Sequence, residues 1–296
     1  MDHARNLSSR GSTDQATVGQ LARQACLWEA TAPKPGNVHP EASFSDTCYE
    51  YFILSAEAIL PAMEAASSLG VGQTIFQAVT ATRSIVTSNT NLGLILLLAP
   101  LAAVPRHEPL IPGVRQVLDT LTPEDSEHVY AAIRLAQPGG LGNADNQDVQ
   151  YDAPDQLLNA MREASPWDLI ARQYCQGFSN LFDEVSPWIH QALDCGWTLS
   201  DSIVHGHIRC LATHPDSLIA RKCGLPMARE SQERARAVLA CGDPSTLGYQ
   251  QAVQELDQWL REDGHRRNPG TTADMIGAAL FIGLRHGTID SCLSIP

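Results

Sequence analysis

The sequence predicts an all-α protein, a single-domain multi-helix bundle built around a buried central apolar helix. Apolar residues recur at helical spacing, as Val18, Leu21, Ala25 and Trp28 illustrate, and strand patterns are nearly absent. The run 92–104 carries no charge and is apolar on every side, so we expect the other helices to enclose it. The chain has 296 residues, of which 44% are apolar, and this is enough to build a large core.

Capping and proline signals set the helix boundaries. Four pairs put a Ser or Thr three residues ahead of Gln or Asp, namely Ser12/Gln15, Thr122/Asp125, Ser165/Asp168 and Thr271/Asp274. Pro123 and Pro166 follow two of these caps, where the missing N–H costs nothing. The predicted helices are 14–31, 46–68, 72–87, 91–104, 123–136, 155–163, 166–182, 187–195, 200–213, 216–223, 226–240, 249–262 and 272–286. No linker divides the chain, so we expect a flexible tail at 1–13 and one domain at 14–296.

Composition excludes several classes of function. The chain has 33 acidic and 20 basic residues, a formal charge of −13, and such an acidic protein is poorly suited to bind nucleic acid or an anionic membrane. The run 92–104 is too short for the roughly 20 residues that cross a bilayer. Residues 1–14 have no apolar secretory segment, so we expect a cytoplasmic protein whose eight cysteines are reduced.

Lysine is rare in this chain, because only Lys34 and Lys222 occur among the 20 basic residues. Lys34 lies between two prolines and is followed by Gly36, in a loop whose backbone is restricted. A rigid ammonium there suits a phosphate or pyrophosphate. The alternative is a Pro-rich bend with a solvated lysine, and residue types alone rate the two about equal.

Two further loops have polar or glycine-rich sequences. Asn89, Thr90 and Asn91 open the apolar helix, where free N–H groups and the helix dipole favour an anion, although ordinary capping by Asn91 explains them as well. Gly140 and Gly142 belong to a glycine-rich loop whose backbone can approach a ligand closely. The carboxylates that follow, Asp145, Asp148 and Asp152, could hold Mg²⁺, or the loop is simply flexible and acidic.

The last two loops bring carboxylates and cations together. Asp216 is either the cap of a short helix or a metal ligand or base, and Arg221 and Lys222 at the end of that helix either face its C-terminus or bind phosphate. Residues 265–274 add Asn268 and Gly270 to the candidate phosphate site. Asp274 completes a capping box with Thr271, a role that still allows it to reach a ligand.

Taken together, these segments resemble the triphosphoribosyl-dephospho-CoA synthase family over about residues 20–285. The resemblance rests on the order of Pro33-Lys34-Pro35-Gly36, Asn89-Thr90, Asp216 with Arg221 and Gly224, and Pro269-Gly270 with Ala273-Asp274. Such enzymes join ATP to 3′-dephospho-CoA: the 2′-hydroxyl attacks C1 of the ATP ribose and adenine leaves. The resemblance therefore implies a Mg²⁺-dependent transferase of cofactor biosynthesis whose partners are small molecules.

The resemblance also implies roles for the candidate residues. The catalytic carboxylates would be Asp148, Asp216 and Asp274, with Asp148 and Asp216 as Mg²⁺ ligands. The substrate- and phosphate-binding set would be Lys34, Gly36, Asn89, Thr90, Asn91, Gly140, Gly142, Arg221, Lys222, Asn268 and Gly270.

The chain departs from the family at one motif, because the synthases carry His-Lys after Asn-Thr and this chain carries Asn91-Leu92. One lost charge-assisted contact is worth about 1.5–3 kcal/mol. The chain thus looks like a divergent branch found in archaea and one-carbon-metabolising bacteria. Two alternatives follow: transfer to another acceptor, such as a tetrahydromethanopterin-type cofactor precursor, or a non-catalytic helical binding protein.

Overall fold

The computed structural model describes residues 16–139 and 149–295. These ranges contain fifteen α-helices, one π-helix and no β-strand, so the all-α prediction is confirmed. The helices are α1 (Val18–Thr31), α2 (Tyr49–Glu64), α3 (Ala66–Leu69), α4 (Val71–Ile85), α5 (Leu92–Ala103), α6 (Leu110–Asp119), α7 (Pro123–Ala136), α8 (Leu157–Ala164), α9 (Leu169–Cys175), α10 (Ser186–Asp194), α11 (Leu199–Thr213), α12 (Ser217–Cys223), α13 (Leu225–Ala240), α14 (Leu247–Arg261) and α15 (Gly270–His286). The π-helix, Leu181–Val185, directly precedes α10.

The apolar helix α5 is buried along its whole length except at Gly93. It packs against α1, α2, α4 and α15, among other helices. Burial on every side matches its sequence, which has no polar stripe that could face water. The site described below lies at the N-terminal end of this helix.

Of two predicted capping pairs, the one at the start of α7 is confirmed, and the one predicted before α1 lies outside the described residues. Thr122 and Asp125 form the expected reciprocal capping box, with Pro123 at the first helical position of α7. The cap of α1 is formed by Thr17 and Gln20 instead, and the predicted pair Ser12/Gln15 lies outside the described residues.

The predicted helix 166–182 was wrong at both ends. Asp168 is itself the cap of α9, because its Oδ1 accepts hydrogen bonds from the N–H groups of Ile170 (2.9 Å) and Ala171 (3.0 Å). The helix then ends at Cys175, since Gly177 and Phe178 adopt positive φ angles of 58° and 64°.

The Thr271/Asp274 capping box is also absent. Helix α15 begins at Gly270, so both residues lie inside its first turns. The N–H of Thr272 is bound by Asp216, the cap of α12, at 2.7 Å. A residue from another helix therefore satisfies one donor in the first turn of α15.

The sequence patterns missed α6, whose Pro112 and Gly113 resemble helix breakers. Pro112 lies in the first turn of the helix, where N–H groups have no intrahelical partner and proline is tolerated. The N–H of Gly113 donates to the carbonyl of Pro109 at 3.1 Å, so the helix continues through this glycine. Gly113 also allows close packing, since a Cβ there would lie 2.3 Å from Cγ1 of Val104.

No helix within residues 16–139 and 149–295 combines the length and the apolar character that crossing a membrane requires.

Candidate functional site

A cavity of about 620 Å³ lies where the N-termini of α5 and α15 meet α1, α7, α8 and α12. One wall is apolar and includes Val129, Ile133, Leu157 and Met161. Another part of the lining is a polar wall that carries carboxylates, amides and cations. Such a mixed cavity, within the size range of small-molecule sites, suits a ligand with an apolar ring and a charged tail.

Two of the carboxylates that line the cavity are Glu29 from α1 and Asp274 from α15. Burial raises the pKa of Asp274 well above its usual range, and the nearby Glu29 and Asp216 raise it further, while the N–H of Leu94 opposes the shift. Gly93 makes room for this carboxyl group, because a Cβ there would lie 2.0 Å from Oδ2 of Asp274. The N-terminus of α5 and the carboxyl of Asp274 are therefore in direct contact.

Lys34 lies behind Glu29 and does not line the cavity. Its Nζ is 2.9 Å from Oε1 of Glu29, and it also donates to the backbone carbonyls of Glu29 and Ala32. The side chain is fully buried. We expected the Lys34 ammonium to bind a phosphate. It instead pairs inside the protein with Glu29, which lines the cavity, and this position does not fit direct contact with a ligand.

The buried imidazole of His207 lies near the Lys34 ammonium. Burial and the charge of Lys34 keep the pKa of His207 well below its ordinary value. His207 is therefore neutral, because a protonated imidazole would be a second buried cation beside Lys34.

Arg221 and Lys222, in the last turn of α12, both line the cavity as the sequence suggested. Nη1 of Arg221 pairs with Oδ2 of Asp168 at 2.6 Å. Lys222 donates to the carbonyl of His265 at 3.2 Å, and burial lowers its pKa. Its Cε lies only 3.4 Å from where a Cβ on Gly139 would be, so Lys222 borders the start of the glycine-rich segment.

The loop that enters α5 lines the cavity with Asn89, Thr90, Asn91 and Leu92. Oδ1 of Asn89, not the side chain of Asn91, accepts from the first helical N–H, that of Leu92, at 3.1 Å. Nδ2 of Asn91 instead contacts Oγ1 of Thr82 at 3.3 Å. The alternative of ordinary capping by Asn91 is therefore wrong.

Two amide side chains in the polar wall, those of Asn37 and Asn268, are hydrogen-bonded to each other. Nδ2 of Asn37 donates to Oδ1 of Asn268 at 2.8 Å, and both residues line the cavity beside Gly270. The amides therefore tie the loop after α1 to the loop before α15.

Gly36 shapes that first loop and does not line the cavity. Its φ of +76° is in the left-handed region, and its N–H donates to Oδ1 of Asp257 at 2.7 Å. A Cβ there would lie 2.8 Å from atoms of Leu260 and Pro269. Gly36 thus allows close packing on α14 and does not fit a direct phosphate contact.

Asp216 is fully buried and does not line the cavity. Oδ1 accepts from the N–H of Ile219 at 2.9 Å, and Oδ2 accepts from the N–H and hydroxyl of Thr272 at 2.7 and 2.8 Å. Burial raises its pKa despite these donors. Both oxygens of Asp216 thus accept hydrogen bonds at the starts of α12 and α15. This arrangement does not fit the expected role as a metal ligand or catalytic base.

Three expected site residues, Gly140, Gly142 and Asp148, lie outside the described residues. Within the described ranges, no group of three or more His, Cys, Asp or Glu side chains is arranged to hold a metal ion. This finding does not conflict with Mg²⁺, which commonly uses one or two protein carboxylates and completes its shell with phosphates and water.

The sequence interpretation missed Glu29, Asn37, Asp168 and His265, which line the cavity. Glu29 carries a detectable signal. It follows Leu21 and Ala25 at intervals of four, so a carboxylate occurs on the apolar face of α1. Asp168 was assigned to capping alone, and no pattern along the chain indicates that it also pairs with Arg221.

A profile of the ATP:dephospho-CoA triphosphoribosyl transferase family matches residues 15–291. Among solved structures, the chain is similar to a protein from Archaeoglobus fulgidus whose crystal structure is described as that of a candidate triphosphoribosyl-dephospho-CoA synthase. The TM-score is 0.62 at 24% identity, and the similarity covers 79% of this chain and 98% of the other. At that identity the likeness concerns the fold. No curated protein sequence matches this chain significantly.

Proposed function

Because the chain belongs to the ATP:dephospho-CoA triphosphoribosyl transferase family, we propose that it transfers the triphosphoribosyl group of ATP to 3′-dephospho-CoA. The 2′-oxygen of the acceptor would bond to C1 of the ATP ribose as the bond from C1 to adenine breaks. The bonding pair leaves with adenine, which takes up a proton. The observation that carries the proposal is the Glu29–Asp274 carboxylate pair, in one cavity with Arg221 and Lys222.

Asp274 is our candidate for the general base. A carboxyl group with a raised pKa is a better proton acceptor near neutral pH than an ordinary one. It would take the proton of the attacking 2′-hydroxyl. Contact with the N-terminus of α5 would stabilise the ionised form before the reaction.

Glu29 would stabilise the positive charge that develops at C1 of the ribose when adenine leaves. Its side chain is 9% exposed and is held by the fully buried Lys34, so its orientation is fixed before the substrate binds. Lys34 is then a positioning residue for Glu29 and has no contact with the ligand.

Arg221 and Lys222 would bind the triphosphate through charge-assisted hydrogen bonds. Asn89, Thr90 and Asn91 lie at the N-terminus of α5, where the helix dipole also favours an anion. Asn268 and Gly270 would complete this side of the cavity.

A bound Mg²⁺ would neutralise part of the triphosphate charge and hold the phosphates in one arrangement. Among the described residues, Asp46 fits such an ion, because it lines the cavity, its side chain is 56% exposed, and its charge acts on Lys222. Asp148 stays a predicted ligand. Asp216 is not part of this proposal.

The test is incubation of the protein with ATP, Mg²⁺ and 3′-dephospho-CoA, followed by mass spectrometry for free adenine and the triphosphoribosyl adduct. We expect both products in equal amounts. An acceptor analogue with hydrogen in place of the 2′-hydroxyl should give no adduct, and Asp274→Asn should slow both signals alike. Protein that binds ATP but forms neither product would contradict the proposed reaction.

A second candidate keeps the group transfer and changes the acceptor, for example to a tetrahydromethanopterin-type precursor. The observation that favours it is Leu92, an apolar residue that lines the cavity where the synthases carry lysine. The paired change Asn91→His and Leu92→Lys separates the two candidates. A gain of turnover with 3′-dephospho-CoA supports the first candidate, and unchanged failure with that acceptor supports the second.

The proposal needs only small-molecule partners, ATP and the acceptor. We therefore also propose the cytoplasm as the location, since ATP is available there.

A further inference from the structure

We propose that Trp167 is a stacking platform for the adenine base of a nucleotide substrate, an inference that deepens the proposed function and rests on it. Trp167 lines the cavity and is 60% exposed. The chain has five tryptophans, and the other four, Trp28, Trp188, Trp197 and Trp259, are buried or half-buried. A large apolar ring is thus open to solvent in the lining of a cavity, where a ligand would cover it.

The segment that carries Trp167 is braced from both sides. The N–H groups of Trp167 and Asp168 both donate to the carbonyl of Ala164, at 3.1 and 2.9 Å. Arg172 donates to the carbonyls of Ser165 and Pro166, at 3.2 and 3.4 Å. The backbone on either side of the indole is therefore fixed, so binding a base would cost little ordering of the chain.

The position of the indole matches the shape of a nucleotide. The next residue, Asp168, pairs with Arg221, our candidate phosphate ligand, at 2.6 Å. Ala164 and Met161, which precede Trp167 in the chain, are apolar and line the same cavity. A base on the indole would thus lie beside apolar side chains, while the attached phosphates extend towards a cation.

Adenine is the base that the proposed reaction offers, and it has two sources, ATP and 3′-dephospho-CoA. Stacking of a base on an aromatic side chain is sequence-tolerant, so the chemistry is the same for both. Separate titrations with the two nucleotides identify which adenine occupies the platform.

The test uses full-length protein and each nucleotide alone, so that no turnover occurs. Intrinsic fluorescence should be quenched on binding of at least one nucleotide, and Trp167→Phe should remove this quenching. By calorimetry, Trp167→Ala should weaken binding of the same nucleotide about 5- to 100-fold. Trp167→Phe keeps an aromatic face and should stay within about threefold of the wild type.

Two controls exclude indirect effects. Trp188→Phe removes a tryptophan that contacts Arg209 and does not line the cavity, and it should change neither the quenching nor the affinity. Inorganic triphosphate, which has no base, should bind wild type and Trp167→Ala equally.

Quenching that survives in Trp167→Phe would overturn the platform proposal, as would an unchanged affinity of Trp167→Ala for both nucleotides. These binding results do not depend on turnover. A failure of the proposed reaction would appear separately, as an absence of adenine release from protein in which Trp167 still binds the nucleotide.

Discussion

The ammonium of Lys34 lies 2.9 Å from Oε1 of Glu29, and the lysine side chain is fully buried while the glutamate is 7% exposed. Neither charge has much access to water, so each depends on the other for stabilisation. Glu29 faces the cavity and Lys34 does not. Loss of Lys34 should therefore affect two things, the stability of the fold and the Glu29 charge that faces the cavity.

Replacing Lys34 with Met should destabilise the protein strongly. The change leaves the Glu29 carboxylate buried without its partner, a situation that costs about 3–5 kcal/mol. Urea denaturation measures this loss. Among the molecules that stay folded, kcat should fall more than KM for ATP rises, because Lys34 positions Glu29 and does not bind phosphate.

The double variant Glu29→Gln and Lys34→Met is the matched control, since it removes both charges. It should recover most of the stability lost in Lys34→Met, while its kcat should stay low because Glu29 is absent. A Lys34→Met protein with wild-type stability and a selectively raised KM for ATP would instead indicate direct phosphate binding.

Lys34 and Glu29 also show how far the sequence could predict the site. The restricted loop around Lys34 indicated a residue held at a defined point, and that much agrees with the structure. The direction of its side chain depends on where α1 places Glu29, five residues earlier. Local patterns describe backbone restriction, but they do not show which charges become neighbours after packing.

The fold was more predictable than the site, because helix formation depends on local spacing and caps. Most helices of α1–α15 have a predicted counterpart. The errors occurred where tertiary contacts replace local ones. Asp216 accepts hydrogen bonds from Thr272 at the start of α15 from a distant position, and Asp274, which the capping pattern assigned to a box with Thr271, lies at the cavity.

Asp274→Asn should lower kcat about 10²- to 10⁴-fold, which is the usual contribution of a general base, with a smaller change in KM. In the wild type, the raised pKa of Asp274 should appear as an acid limb in the pH–rate profile, with activity rising as the carboxyl ionises. Steady-state kinetics between pH 5 and 9 would measure both. An Asn variant with the wild-type acid limb would assign that limb to another group.

Asp274→Asn should lower kcat, but it should not lower the stability of the protein at neutral pH. The folded protein retains the Asp274 proton to a higher pH than the unfolded chain does, because the pKa is raised on folding. Stability from this group is therefore greatest at low pH and is lost as the pH rises from the ordinary carboxyl range through the raised pKa. Asp274→Asn should be at least as stable as the wild type at neutral pH and should show a flatter stability profile in denaturant titrations.

Asp216→Ala should destabilise the protein by about 2–4 kcal/mol, because it leaves three buried donors without an acceptor. Asp125→Ala is a matched comparison. That carboxylate also accepts from three donors, two on Thr122 and one on Gly72, and it does not line the cavity. Both variants should lose stability, and neither should change Mg²⁺-dependent ATP affinity in the folded protein. A selective loss of Mg²⁺ dependence in Asp216→Ala would restore its interpretation as a metal ligand.

Arg221→Ala tests the cationic side of the cavity. Loss of a charge-assisted hydrogen bond worth about 1.5–3 kcal/mol should raise KM for ATP about 10- to 100-fold, with little effect on stability, because Asp168 keeps its role as the cap of α9. Arg234→Ala, which breaks the exposed pair with Glu230 away from the cavity, should leave KM unchanged.

Binding of ATP and ADP, measured by calorimetry, then shows which part of the nucleotide Arg221 contacts. If Arg221 holds the terminal phosphate, the preference for ATP over ADP in the wild type should shrink in Arg221→Ala, whereas an equal loss for both nucleotides would place the contact nearer the ribose.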